Sequence, residues 1–262
     1  MIIYKTKEEI AKIREGGQIL AKVLDQIGKE VRPGVDTAYL EEMACKLIEE
    51  AGGRPSFKGY KSGGKPFPTA LCTSVNNEVV HTPAIPGRVL DSGDIIGIDI
   101  GMEYPSRKGE KGFYTDMAVT IAVGKVSEQA KKLIRVTREC LDSAIKQMKP
   151  KNTLNDIARA VQTHAEKNGF SVVRDLVGHG VGKAVHEAPN VPNFVVDKGF
   201  DIVLEPGMVL AIEPMINMGA PEIKTGKDGF SIVTADGKLS AHFEHTVAIT
   251  EDGHEVLTQL SI

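Results

Sequence analysis

The sequence predicts an α+β protein in which two similar halves, each made of two helices followed by strands, share one curved antiparallel sheet. Three observations support this fold class: two pairs of amphipathic helical segments, short β-rich segments after each pair, and an internal repeat that relates the halves. The length of 262 residues suits one or two domains. Because the halves would share a sheet, we expect a single domain over residues 1–262, with the repeat at about 5–125 and 126–250.

The first half opens with two predicted helices. Thr6 and Glu9 have the spacing of a capping box, and apolar side chains follow at helical spacing up to Arg32-Pro33-Gly34. A second amphipathic helix ends at Gly52-Gly53, and residues 54–70 have the proline and glycine content of a loop. Three β-rich segments complete this half: 73–81, 89–101 and 114–123.

The second half repeats this order of elements. Two helices are expected, the first ending near a proline and the second near a glycine, at about 128–148 and 154–168. Strand-like segments then follow at about 172–176, 209–215, 230–233 and 242–249.

The repeat aligns four acidic residues in pairs. A shift of 114 residues places Asp99 on Glu213, within a matching segment of ten residues. A shift of 128 residues places Asp116 on Glu244. Since the two halves are expected to meet in one sheet, the four carboxylates should reach a shared centre.

The composition excludes several classes of partner. Thirty-two basic residues against 35 acidic ones give a net charge of −3, which removes the usual electrostatic argument for nucleic acid or an anionic membrane. No apolar run approaches the ~18 residues of a membrane span. Three cysteines are too few and too odd in number for a disulfide framework, so we expect a reducing compartment, the cytoplasm.

Each of the four carboxylates lies in or directly before an apolar strand-like segment that contains no lysine or arginine. Burying several ionised carboxylates together is costly unless cations neutralise them. His179, between Gly178 and Gly180, adds a candidate imidazole ligand. Carboxylates with one imidazole suit Mn²⁺, Fe²⁺, Co²⁺ or Zn²⁺, and four acids suffice for two ions. Such a pair would activate a water and polarise a carbonyl group.

Two further histidines look like counterparts in the two halves. His81 and His186 each precede a proline-containing loop. A neutral histidine there could donate a hydrogen bond to a scissile carbonyl or shuttle a proton. For either residue alone, an ordinary exposed loop histidine explains the pattern equally well.

Together these motifs resemble type I methionine aminopeptidases, which have the pita-bread metallopeptidase fold. The resemblance extends from about Ile10 to Leu257, with the motifs in family order. The matching segments are Thr73–His81, Ile98–Gly101, Tyr114–Asp116, Gly178–Gly182, Ile212–Met215, Lys227–Phe230 and Leu239–Thr246.

The resemblance implies a role for each matching residue. Asp99 would bind one of two divalent ions, Asp116 and Glu244 would bridge both, and His179 and Glu213 would complete the other. Glu213 would also accept a proton during catalysis. His186 would steady the scissile carbonyl oxygen and His81 would lie near the scissile nitrogen. The methionine side chain would bind among Phe57, Tyr60, Cys72 and Phe230.

The resemblance also implies the substrate and the setting. The expected reaction removes the N-terminal methionine from nascent proteins and peptides whose second residue is small. The ions would be Co²⁺, Mn²⁺, Fe²⁺ or Zn²⁺, and the ligand set does not choose among them. A cytoplasmic monomer without membrane contact is expected, and transient association with the ribosome stays open.

Three departures from the family pattern stand out. Segments 61–71 and 102–113 are longer than usual and should lie toward the substrate mouth or a nearby edge, and we interpret both as tolerated surface loops. His242 replaces a residue that is more often an amide. Because it shares a strand face with Glu244, we predict a contact that supports this ligand.

Two alternative functions remain at this point. One is an Xaa-Pro aminopeptidase or a creatinase-like hydrolase of the same fold, although those usually carry an additional N-terminal domain. The other is a pita-bread binding module that has lost catalysis. All five ligand positions and both histidines are present here, which favours an active enzyme.

Overall fold

The computed structural model describes residues 1–61, 64–107, 109, 111–197 and 201–259. This part of the chain contains four helices, each close to its predicted position: α1 (Lys7–Glu30), α2 (Thr37–Glu50), α3 (Glu128–Ile145) and α4 (Leu154–Lys167). The predicted capping box begins α1, where the Glu9 N–H donates to Thr6 Oγ1 at 3.2 Å and the Thr6 N–H to Glu9 Oε2 at 2.9 Å. No helix of the described residues is both long and apolar enough to cross a membrane.

Strands account for most of the remaining regular structure. In the described residues they are β1 (Arg54–Pro55), β2 (Leu71–Val75), β3 (Glu78–Val80), β4 (Ile95–Tyr104), β5 (Phe113–Ala122), β6 (Ser171–Val172), β7 (Gly178–Gly180), β8 (Glu187–Val191), β9 (Val209–Ile212), β10 (Met215–Asn217), β11 (Ile223–Thr225), β12 (Ile232–Thr234), β13 (Ser240–His242), β14 (Glu244–Thr250) and β15 (Gly253–Val256).

Nine of these strands form one antiparallel sheet. Their order is β1-β4-β5-β14-β9-β7-β8, with β2 beside β4 and β15 beside β14. The halves of the repeat meet where β5 pairs with β14, in a register that sets Ala118 opposite Glu244. Two three-stranded sheets, β13-β10-β6 and β11-β12-β3, lie beside it. The α+β fold with two halves sharing a sheet is therefore confirmed.

The helices cover one face of the central sheet and leave the other face for polar groups. In β4, Ile96, Ile98 and Ile100 are fully buried in a cluster with side chains of α1 and α2. The second half has a matching cluster, in which Leu210 and Ile212 pack with α3 and α4. Because successive strand residues alternate between faces, Asp99 points away from the helices.

Several strand boundaries differ from the predictions. The predicted strand 73–81 is two strands, since Asn76 turns the chain with φ +59°. β4 begins at Ile95 rather than near 89, after a turn in which Gly93 has φ +113°. The predicted segment 209–215 is interrupted at Glu213-Pro214, because proline cannot donate to the ladder.

Candidate metal centre and active site

The strand register alone brings three of the predicted ligands together. Asp99 on β4 lies opposite Ala118 on β5, and Ala118 lies opposite Glu244 on β14. These three residues therefore form one row across three strands, and their side chains share a face. Asp116 precedes Ala118 by two residues, so its carboxylate joins the same face one step along β5.

The other two predicted ligands reach this face from β7 and the end of β9. His179 lies opposite Ala211, and Ala211 lies opposite Thr246 on β14. Glu213 follows Ala211 by two residues and Glu244 precedes Thr246 by two, so both glutamates turn toward the His179 side of the sheet. The sheet thus gathers all five predicted ligands on one face.

Distances show how close these groups are. His179 Nε2 lies 3.5 Å from Glu213 Oε1 and 4.0 Å from Asp116 Oδ2. Ligand atoms of Asp116, His179 and Glu244 all lie within 4.8 Å of one another. His179 Nδ1 lies 2.9 Å from the Gly180 carbonyl oxygen. With Nδ1 donating to that carbonyl, the lone pair is on Nε2 and faces the carboxylates.

The centre is buried, and its acids lack a cationic partner. Asp99, Asp116 and Glu244 are 9%, 4% and 2% exposed. Desolvation raises the pKa of Asp99 to about 7. Desolvation, followed by repulsion between neighbouring carboxylates, raises the pKa values of Asp116, Glu213 and Glu244. Among the described residues, no lysine or arginine forms an ion pair with these four acids.

Two of the buried oxygens have no hydrogen-bond partner within the described part of the chain. They are Asp99 Oδ1 and Glu244 Oε1. Buried polar atoms are seldom left unpaired, and bound ions are one common explanation. Desolvation also lowers the pKa of His179 to about 3, so that its imidazole is neutral at pH 7 and able to bind metal. The residues present therefore fit divalent metal ions.

A cavity of about 680 Å³ opens directly above this centre. It is lined by the five predicted ligands, by both predicted histidines, and by the four predicted methionine-pocket residues Phe57, Tyr60, Cys72 and Phe230. All eleven predicted site residues thus lie around one space. Pockets of this size accommodate the end of a peptide.

One wall of the cavity is apolar. Phe57, Cys72 and Val185 are buried together there, with Tyr60 and Tyr114 packed against them. Desolvation, followed by repulsion from Asp99 and Asp116, raises the pKa of the Cys72 thiol well above its usual value. A thiol that stays protonated is a weak nucleophile, which agrees with Cys72 being a wall residue.

The two predicted histidines occupy different surroundings. His186 Nδ1 lies 2.8 Å from the Tyr60 hydroxyl, and its ring centre lies 4.3 Å from that of His179. Although His186 is exposed to the open cavity, neighbouring protein atoms desolvate its ring and lower its pKa. His81 follows β3 with φ +60°, a conformation that is uncommon outside glycine.

Part of the first long segment, 61–71, lies at the cavity, in line with its expected position toward the substrate mouth, but sequence reasoning missed that its side chains line the site. Gly64, Lys65 and Phe67 line the cavity, and the Phe67 ring meets that of Phe230 edge to face with centres 5.7 Å apart. The interpretation of this segment as a surface loop is therefore wrong for Phe67. The sequence signal that could have revealed this role is a single aromatic residue within a glycine-rich loop. Ser62 and Gly63 lie outside the described residues.

The described residues of the second long segment, 102–113, do not reach the cavity. β4 continues to Tyr104 and β5 begins at Phe113, so the ends of this segment extend a hairpin. The Tyr104 hydroxyl donates to Glu15 on α1 at 3.0 Å. None of its described residues lines the cavity, whereas the sequence placed it toward the mouth or a nearby edge. Lys108 and Glu110 lie outside the described residues.

His242 lies near the centre but not as predicted. Its Nε2 is 4.0 Å from Glu244 Oε2 and 3.7 Å from Glu213 Oε2, both too long for a hydrogen bond. His242 Nε2 has no partner among the described residues. The expected contact with Glu244 is therefore not a hydrogen bond, and the ring lies nearer to Glu213.

Five predicted ligands clustered beneath a peptide-sized cavity, on a sheet shared by two helix-covered halves, are the arrangement expected of a metal-dependent peptidase. Residues 11–251 match metallopeptidase family M24, and the chain belongs to that family. The relatives most similar in sequence include methionine aminopeptidases. That of Clostridium perfringens is 48% identical over 259 residues, covering 98% of this chain and 99% of the relative. Methionine aminopeptidase 1 of Bacillus subtilis is 46% identical, covering 99% and 100%.

The same group has the matching three-dimensional structure. The crystal structure of methionine aminopeptidase from Thermotoga maritima superposes with a TM-score of 0.91 at 41% identity, covering 99% of this chain and 100% of that one. Within family M24, the chain thus belongs with the methionine aminopeptidases, and divalent metal use follows from its membership in this metallopeptidase family.

Proposed function

We propose that the protein hydrolyses the peptide bond after an N-terminal methionine, in nascent proteins and peptides whose second residue is small. One observation carries the proposal: three buried carboxylates, a fourth that is half-buried and one imidazole share the floor of a cavity that has an apolar wall. The relatives named methionine aminopeptidase, similar over nearly their full lengths, give the substrate class.

The metal centre proposed here holds two divalent ions. Asp99, Asp116, His179, Glu213 and Glu244 would hold these ions, with Asp116 and Glu244 as the shared ligands. Co²⁺, Mn²⁺, Fe²⁺ and Zn²⁺ all accept this ligand set. When bound, such a pair of ions supplies a water of lowered pKa and an electrophile for the scissile carbonyl.

Side chains of the protein accept and donate protons and orient the substrate. Glu213, close to His179, accepts the proton of the attacking water. The Tyr60 hydroxyl donates to His186 Nδ1, so the neutral ring carries its proton on Nε2 and donates it to the carbonyl oxygen of the substrate. His81 lies at the scissile nitrogen, where it assists departure of the new amino terminus.

Specificity follows from the two sides of the cavity. The thioether of methionine is apolar and flexible, and it suits a pocket of Phe57, Tyr60, Cys72 and Phe230. A narrow space for the second residue excludes large side chains by steric clash rather than by attraction to small ones. The cavity therefore admits Met-Ala and Met-Gly termini in preference to Met-Lys.

The setting is part of the same proposal. The chain acts as a single catalytic domain and as a cytoplasmic monomer. Nascent chains as substrates place its action close to the ribosome, where transient association increases the local substrate concentration. The Xaa-Pro peptidase is disfavoured because the relatives with high sequence identity over nearly the full chain are methionine aminopeptidases. The inactive binding module is disfavoured because all five predicted ligands are present and line the cavity.

One experiment tests the function. Metal is stripped from the protein, Co²⁺, Mn²⁺, Fe²⁺ or Zn²⁺ is added back, and Met-Ala-Ser is compared with Met-Lys and proline-containing peptides. Methionine release from Met-Ala-Ser should require metal and exceed release from Met-Lys. No release with any ion, or equal release from Met-Lys, contradicts the proposal.

A further inference from the structure

The N-terminal segment, residues 4–9, lies against the loop that carries His186. We call residues 181–187, which connect β7 to β8 and include the first residue of β8, the His186 loop. Lys5 Nζ lies 2.5 Å from Glu187 Oε2, and their side chains are only 1% and 3% exposed. Glu187 follows His186 directly in the chain. A buried ion pair therefore joins the start of the protein to the residue next to a substrate-facing histidine.

The Glu187 carboxylate connects the N-terminal segment to the backbone of the loop. One oxygen binds Lys5, and the other accepts hydrogen bonds from the N–H groups of Lys183 and Ala184. A second ion pair runs in the opposite sense, with Lys183 Nζ 2.7 Å from Glu9 Oε1. The loop is thus attached at two points, to Lys5 just before α1 and to Glu9 in the first turn of α1.

The backbone leaves room for the Lys5 side chain to reach Glu187. Gly182 has φ +136°, and a Cβ there would lie 2.8 Å from Lys5 Cε. The Lys5 N–H donates to the Gly207 carbonyl at 2.8 Å, which fixes the base of the side chain. Both the path of the lysine and its end point are therefore determined by neighbouring backbone.

Such a pair does not by itself make the protein more stable, because desolvation offsets much of the attraction between the charges. Removing one partner has a different effect, since the other charge stays buried and alone. Without Lys5, Glu187 would move toward water and take the adjoining His186 with it. The Tyr60 hydrogen bond fixes the ring of His186 but not its backbone.

We propose that Lys5 is a positioning residue for His186, acting through the Glu187 carboxylate. The N-terminal segment then sets the geometry of the histidine that meets the scissile carbonyl. This inference rests on the proposed function, since the importance of His186 depends on it. The metal ligands should be unaffected, because His179 is fixed by the pairing of β7 with β9.

The main test is Lys5→Met, which keeps the aliphatic stem and removes the charge. Misplacing a reacting group by about 1 Å can cost 10²-fold in rate, so kcat for Met-Ala-Ser should fall about 10- to 100-fold while KM changes less than about twofold. Mn²⁺ affinity, measured by calorimetry, should stay within about twofold. Lys5→Arg should retain most of the rate. Lys183→Met, which breaks the more exposed pair, is the matched control and should stay within about threefold.

A double variant separates positioning from stability. In Lys5→Met/Glu187→Gln the unpaired charge is gone, so thermal stability should recover relative to Lys5→Met while kcat stays low. Full activity in folded Lys5→Met, or recovery of kcat together with stability, overturns the proposal. Hydrogen exchange of residues 183–187 gives a readout without catalysis. It should increase in Lys5→Met even if the wild type releases no methionine, and unchanged exchange also overturns the proposal.

Discussion

The two halves of the sheet contribute different groups to the proposed metal centre. The first half supplies Asp99 and Asp116, whereas the second supplies Glu213, Glu244 and His179. His179 lies opposite Ala211, and the 114-residue shift that relates Asp99 to Glu213 takes Ala211 to Gly97. Gly97 lies opposite Ser74, so the first-half counterpart of the imidazole is a serine.

The acids also differ in reach. Asp99 and Asp116 lie within β4 and β5, two ten-residue strands joined as a hairpin. Glu213 follows the last residue of β9, and Glu244 is the first residue of β14. The shorter aspartate side chains thus lie within continuous strands, whereas the longer glutamate side chains lie at strand ends. The repeat thus supplies two pairs of acids, but only one side of the centre has a nitrogen ligand.

The largest predicted effect distinguishes His179 from Ser74, its counterpart in the first half. Loss of a residue that hydrogen-bonds a metal ligand typically lowers metal affinity or activity about 10–100-fold, so loss of a ligand itself should have a larger effect. His179→Ala should lower Met-Ala-Ser turnover more than about 100-fold and weaken Mn²⁺ binding. Ser74→Ala, the matched control from the first half, should change turnover less than about threefold. Equal losses in the two variants would show that the halves contribute alike.

The second prediction compares the two cavity histidines. His186 is held by Tyr60, whereas no hydrogen bond to the His81 ring is found in the described part of the chain. Removing a donor to a developing oxyanion costs about 10²–10³-fold, so His186→Ala should lower kcat about 100-fold. His81→Ala should lower it about 10-fold. A larger loss of kcat in His81→Ala than in His186→Ala, measured in steady-state assays, would contradict this prediction.

The third prediction concerns pH and the metal-free protein. Burial raises the pKa of Asp99 to about 7, above the ~3.9 of an unfolded chain. Between these two pKa values the folded state binds more protons at Asp99 than the unfolded chain does. The free energy of unfolding is therefore highest, as far as this group is concerned, below about pH 4, and it decreases as pH rises toward 7. With a chelator present, the Tm should fall by several degrees from pH 5 to 8. Asp99→Asn should show a smaller fall, and an equal slope would contradict the assignment.

The smallest predicted effect concerns the residues two positions before the bridging acids. These are His242 before Glu244 and Tyr114 before Asp116. His242 Nε2 lies 3.7 Å from Glu213, beyond hydrogen-bond distance, so His242→Gln should weaken Mn²⁺ binding measurably but less than about 10-fold. Tyr114→Phe should not change it. Calorimetry that gives the same affinity for His242→Gln and wild type removes His242 from the account of the centre.

The sequence sufficed for the features that depend on local pattern. Apolar periodicity and the Thr6 cap placed the helices, and one acid per apolar strand identified Asp99 and its counterparts. The shared face of these acids depends on a register across four strands that no local pattern determines. Chance alignment could not be separated from symmetry until β5 was seen to pair with β14.

What the sequence missed depends on contacts between distant segments. Phe67 reaches Phe230 across the cavity, and Lys5 reaches Glu187 although 182 residues separate them. The contact predicted from His242 to Glu244 assumed that a shared strand face implies proximity, but β13 ends at His242 and a new strand begins at Glu244. The break between them separates the side chains by 4.0 Å.

The most direct test of the account is the location of metal in crystals grown with Mn²⁺, determined from anomalous scattering. Two peaks are expected on the floor of the cavity, about 3.5–4 Å apart as in other two-metal sites. His179 should contact only one of them, with Asp116 and Glu244 between the two. Peaks elsewhere, or an ion pair that His179 does not contact, would contradict the unequal contribution of the two halves.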